Sequence, residues 1–428
     1  MSIKNSISEN EEWGVFEYLI SVTIVCDKLT ATLNENQILG LYIEKNYDND
    51  HLPIMLLDIS IKEDFYEKIR LNADKTEFKL VIRKYSIDQE EEDSENSAVK
   101  KNQGIYLQDS FIPIMPKQTP IGNRVKSKDT ESIESEEDIT SVDEHSLGNS
   151  YRFVLVKREI YVKSKTITNL VIQSSDITYA TCLALNDAKV KNVLMSNLDN
   201  TKIYKEILLF PIPLLSQLIY LDSYFGFYKQ GTVIFYDNDC LYIVRKTGVC
   251  SAWRKNERKK VTFCINSASS ADDKCRGTLL NGGYVYMNIG SDQYHIGDGS
   301  DIIDQTTGTN MMIVNEDTGE FNQVSSGVQS VFGNGTNVQS YPGHNPYISN
   351  IYKKRKQELK HTITLVCTNC DISYFTPNKS YTVITDVSSI IDDVKGNYRL
   401  SRIMTKFVKE GRHFNDVSTI TIKRAGID

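Results

Sequence analysis

Apolar residues recur along this chain at two spacings. From about Tyr18 to Lys165, the runs YLISVTIVCD, ILGLYIEKNYD, LPIMLLDISI and FKLVIRKY are rich in Val, Ile, Leu and Tyr and separated by turn residues, and YRFVLVKREIYV resumes the pattern from Tyr151. Such runs predict strands. Near Pro213 the spacing changes. Leu214, Leu215, Leu218 and Leu221 form one helical stripe. Pro213 suits the first turn, where a missing N–H costs nothing, and Gly226 can stop the helix. Thr232 to Tyr236 and Leu241 to Arg245 then predict a hairpin around Asp237, Asn238 and Asp239. Upstream, Ser174 or Ser175 is placed to cap a helix through Ile177, Ala180 and Ala184.

Between Ser86 and Asn149 the pattern fails. DQEEEDSENS and DTESIESEEDITSVDE surround one short apolar island, FIPIMP. Too little apolar area is available there to offset the entropy of ordering, so the segment reads as a mobile acidic insert. After Arg254 the chain turns polar and glycine-rich. VTFCIN and GGYVYMNI predict strands, and NQVSSGVQSVFGNGTNVQSYPGHNPY predicts an extended loop. From His361 the β pattern returns, and HTITLVCTNCD echoes ISVTIVCD near the N-terminus.

A mainly β fold with an α/β insertion follows, in four parts. Residues 1–165 form a first β-barrel carrying the acidic insert 86–149, residues 166–253 a mixed α/β module, residues 254–350 a loop-rich β region, and residues 351–428 a second, similar small barrel. A chain of 428 residues is long enough for several cores.

The net charge of −7 argues against general affinity for nucleic acid, and no apolar stretch is long enough to enter a bilayer as a helix. Eight scattered cysteines suit a reducing compartment, and the lone Cys367-Thr-Asn-Cys370 lacks the second ligand pair of a zinc site. Asp292, Asp298, Asp301 and Asp304 cluster without the spacing of a calcium loop, and Lys353 to Lys356 reads as a solvated linker. The six histidines are dispersed, and G-x-S-x-G, H-E-x-x-H and P-loop signatures are absent. No catalytic residue, cofactor or metal is therefore expected, although a pair of carboxylates of glycosidase type can hide among 56 acidic residues.

Two segments point further. LLFPIPLLSQLIYLDSYFGFYKQGTVIFYDNDCLYIV (Leu208 to Val244) and YFTPNKSYTVITD with GNYRLSRIMTKFVKEGRHF (Tyr374 to Phe414), together with the two-barrel organisation, resemble the baseplate hub or tail hub proteins of contractile-tailed bacteriophages. The resemblance implies a structural virion protein of the tail baseplate, assembled in the host cytoplasm as a homotrimer. It would join a sixfold ring of tail tube protein to a threefold central spike, since three copies of a duplicated barrel offer six similar units. Leu214, Leu218, Leu221, Tyr224, Phe225, Tyr228 and Tyr398 are the structural or interface candidates. A tail-associated wall hydrolase and a receptor- or carbohydrate-binding tail protein are the alternatives.

Overall fold

The computed structural model describes residues 14–48, 52–86, 104–114, 149–246, 260–266, 277–281, 284–290, 293–297, 310–314, 321–324, 336–340, 345, 347, 362–377 and 379–424. The first block supplies β1 (Phe16–Cys26), β2 (Leu29–Thr32), β3 (Ile38–Asn46), β4 (Ile54–Ile61), α1 (Glu63–Leu71), β5 (Thr76–Ser86), β6 (Gly104–Ile114) and β7 (Asn149–Lys157). Every second residue of β1 from Tyr18 to Cys26 is buried, and β4 repeats the rule at Met55, Leu57, Ile59 and Ile61. A period of two puts these side chains on one face of a sheet, and the sheet curls around them.

That barrel is closed by strands from the far end of the sequence. β22 (Asn397–Glu410) and β23 (His413–Arg424) form a long hairpin, and the order β22-β3-β4-β7-β6-β5-β1-β23 returns to β22. Eight strands thus enclose the core, six from the first block and two from the last. Tyr18, Phe78, Phe153, Phe407 and Phe414 fill its interior. The hairpin also carries a second group of strands in the same sheet. On one side stand β21 (Tyr381–Thr385), β13 (Lys260–Ile265), β15 (Tyr284–Ile289) and β14 (Thr278–Asn281). On the other stand β20 (Thr362–Thr368) and β16 (Tyr294–Gly297). The echoing segments form β1 and β20, and both run antiparallel to β23 on successive stretches of it.

The structure corrects three readings. Within the acidic segment expected to be mobile, Gly104–Ile114 is β6, paired with β5 and β7. Its apolar island was too short to register as a strand, yet Phe111 is buried and neighbouring strands satisfy its backbone. In the run expected as an extended loop, β18 (Phe321–Val324) and β19 (Thr336–Ser340) join β17 (Asn310–Val314) in a small sheet. Asp176, not a serine, caps the helix that follows it, its carboxylate accepting from the Tyr179 N–H at 2.8 Å. The four aspartates Asp292, Asp298, Asp301 and Asp304, the basic run at 353–356 and the rest of the acidic segment lie outside the described residues.

The mixed module lies between the blocks. It contains α2 (Arg158–Ser164), β8 (Ile167–Asp176), α3 (Ile177–Asp187), β9 (Val193–Met195), β10 (Ile203–Pro213), α4 (Leu214–Phe225) and the hairpin β11 (Thr232–Asp237) with β12 (Cys240–Arg245). This hairpin is buried on both faces. Val233, Phe235, Tyr242 and Val244 join the core of the large sheet, while Ile234, Tyr236, Leu241 and Ile243 join the core of the module. Its acidic turn is pinned from the barrel side. Asp237 binds the Lys45 ammonium at 2.7 Å and accepts from the Tyr47 hydroxyl at 3.2 Å. Lys157 of β7 bridges Asp109 and Asp239. Burial works against the charge on Lys45, but Asp237 outweighs it and holds the ammonium above its ordinary range. The tyrosine-dense run around Phe235 is therefore the mortar between two cores.

Candidate assembly surface

The residues nominated from the sequence separate cleanly. Leu214, Leu218, Leu221, Phe225, Tyr228 and Tyr398 are each no more than 2% exposed. They hold cores and are closed to a partner. Tyr228 shares its single hydroxyl proton between Ser196 O at 2.8 Å and Ile243 O at 3.0 Å, and Tyr398 donates to Val394 O at 2.9 Å. Tyr224 alone among them is half-buried.

α4 explains this burial. Pro213 precedes its first turn, and the Leu214 N–H reaches back to Thr166 O at 2.9 Å. Gly226 ends it at φ 75°, a conformation that favours glycine. A Cβ there would stand 2.3 Å from Asn345 Oδ1. Asn345 in turn donates to Ser223 O and to Asp222 O, which also accepts from the Gly226 N–H at 2.8 Å, so its amide binds the last turn of the helix.

Among the described residues, a group of exposed apolar side chains lies together on the antiparallel ribbon β8–β10. Ile172 and Ile207 pair and face the helices, as does Leu209. Their neighbours Val171 and Leu208 pair on the opposite face, 52% and 38% exposed. Ile167, Leu170, Ile203 and Phe210 add to the same ribbon and are all exposed. Phe210 meets Tyr220 of α4 edge-on at 4.9 Å, and Tyr220 lies 5.6 Å from Tyr224, so an aromatic ladder continues the apolar surface onto the helix. Burial raises the Tyr220 hydroxyl above its usual range. An apolar face that the described residues leave uncovered marks an interaction surface. Its sequence signal is apolar residues at both parities, in LVI of β8 and ILLFPIP of β10, where a ribbon with one wet face would alternate.

Candidate chemistry stays apart from this surface. Cys367 and Cys370 are buried free thiols, and their mutual hydrogen bond together with burial pushes the Cys370 thiol up. Among the described residues no His, Cys, Asp or Glu group is arranged to hold a metal ion. No helix of the described residues is long and apolar enough to cross a membrane.

Over residues 15–425 the chain matches the family described as Bacteriophage PBS1 gene 109 protein. No curated protein matches it in sequence. Among solved structures it is similar to the tail protein from Neisseria meningitidis MC58, at 11% identity and TM-score 0.52, covering 96% of this chain and 97% of that one. It is also similar to the 43 kDa tail protein of prophage MuSo2 from Shewanella oneidensis, at 9% identity and TM-score 0.47 over 95% and 98% of the two chains. A third likeness is to the lidded Francisella PdpA-VgrG complex, at 10% identity and TM-score 0.49 over 98% of this chain and 54% of that one. The first likeness identifies the barrel and its module as a tail-protein fold, and the phage resemblance read from the sequence agrees with it. With all but the ends of its sequence matched, the chain belongs to the Bacteriophage PBS1 gene 109 protein family.

Proposed function

We propose that this protein is a structural component of the phage tail, a homotrimeric baseplate hub that joins the sixfold tail tube to the threefold central spike and acts by geometry rather than by catalysis. The observation that carries the reading is a tail-protein fold extending over nearly the whole of both chains. The β8–β10 ribbon supports it, since among the described residues it presents an exposed apolar surface of the kind that a permanent assembly buries. A hub of this kind sits in the virion tail and contacts a tube ring on one side and the spike on the other.

Native mass spectrometry and negative-stain imaging of the purified chain test the proposal. The expected result is a trimer seen as a ring or cup, with interfaces of about 2,000 Å² or more per pair. The paired substitutions Val171→Lys and Leu208→Glu should give a folded protein, with unchanged circular dichroism, that no longer forms trimers. A monomer at high concentration, both alone and mixed with tube and spike proteins, would overturn the hub reading.

A further inference from the structure

The closed barrel has one thin seam. β1 and β23 share a single registered pair, Tyr18 with Phe414, whereas β20 follows β23 from Val417 to Lys423. Asp416 lies in the gap where β23 passes from one neighbour to the other. Its side chain is fully buried, in line with the inward positions Phe414 and Ser418. One carboxyl oxygen accepts from Ser418 Oγ at 3.2 Å. The other oxygen, Oδ1, has no hydrogen-bond partner among the described residues. Around it the seam is stitched by few bonds. The Phe16 N–H donates to Asn369 O at 3.1 Å, Tyr18 donates its hydroxyl to Cys370 O at 2.7 Å, and the Ile372 N–H donates to the Tyr18 hydroxyl at 3.2 Å.

The titratable groups facing Asp416 come from every side of this junction. They are Tyr18 of β1, Tyr106 of β6, Cys370 with its neighbour Cys367, and Asp371. Lys84 of β5 is engaged elsewhere, with Asp371 at 2.6 Å and Ser373 at 3.1 Å. A carboxylate at this point would be a buried anion beside another acid.

We propose that Asp416 is a proton-operated latch on the barrel seam: with its carboxyl neutral, the junction of β1, β23 and the 369–372 turn stays closed, and ionisation releases it. Burial, reinforced by Asp371, lifts its folded pKa from 3.8 to about 8. A raised value means that the closed form gains most below the unfolded value and loses that gain as pH rises through the folded one. Opening of the seam should therefore become easier from about pH 4 to about pH 8 and level off above.

Hydrogen exchange on the full chain, corrected for intrinsic rates, reads this directly. In the wild type, protection at Phe16, Tyr18 and Ile372 should fall roughly tenfold per pH unit between about pH 5 and pH 7, while the β3–β4 strands stay flat. In Asp416→Asn the seam should lose that slope. The same slope in both proteins, or a slope spread evenly over the barrel, would overturn the latch. Should the variant fail to fold, infrared titration of the wild type labelled with carbon-13 aspartate decides. A protonated carboxyl band that persists at neutral pH and fades near pH 8 supports the proposal, and its absence at neutral pH refutes it.

Discussion

Gly226 shows how one position can be fixed twice over. Its positive φ favours glycine, and the Asn345 side chain occupies the space that a Cβ would take. Gly226→Ala should cost about 1–3 kcal/mol in denaturant unfolding, and part of that cost should vanish in an Asn345→Ala background, where the clash is gone but the backbone strain stays. Asp48 is a second fixed point. It pairs with Arg399 at 2.7 Å and Lys423 at 2.6 Å at the open end of the β22–β23 hairpin. Burial opposes its charge, but the two cations prevail and hold the carboxyl at about 2. A lowered value contributes stability above the unfolded pKa, and that contribution disappears as pH falls through the folded one. The wild type should lose about 2 kcal/mol from this group between about pH 4 and pH 2. Asp48→Asn should start less stable and lack that acid slope, which thermal melts across the range would reveal. The opposite slopes of Asp48 and Asp416 make the two variants separable in one pH series.

Among the elements, legibility followed burial pattern. α4 and the β11–β12 hairpin were readable because a leucine stripe, a glycine stop and an Asp-Asn-Asp turn each have a local physical cause. The double-sided burial of that hairpin was not, since its second partner is a barrel strand far away in sequence. β6 was hidden for a different reason. Acidic flanks dominate its composition, and most of its residues are only partly buried, so its order comes from pairing with β5 and β7. Phe111→Ala removes its one fully buried aromatic residue and should cost about 3–5 kcal/mol in equilibrium unfolding. A cost below about 1 kcal/mol would mean that β6 is a dispensable edge. The outward face of the ribbon β8–β10 was not legible, because apolar residues at both parities do not by themselves tell which side the helices cover; Val171, Leu208 and Phe210 are exposed.

At the scale of the molecule, the mainly β class and the phage resemblance were legible because alternating runs and two longer motifs survive in the sequence. The connectivity was not. No local signal says that the last hairpin completes the first barrel, because register across several hundred residues is set by the packing of the finished core. Arg402 of β22 reaches Glu44 of β3 across 358 residues of chain. That closure has a consequence for how the protein is made. During synthesis β1 and β3 emerge early and then wait, with bare backbone edges, until the closing hairpin leaves the ribosome. Contacts this distant are slow to form, and open edges are templates for other chains. The nascent protein must therefore pass through a long sticky interval, and its yield in a host cell will depend on chaperone supply and translation speed more than on the stability of the finished barrel.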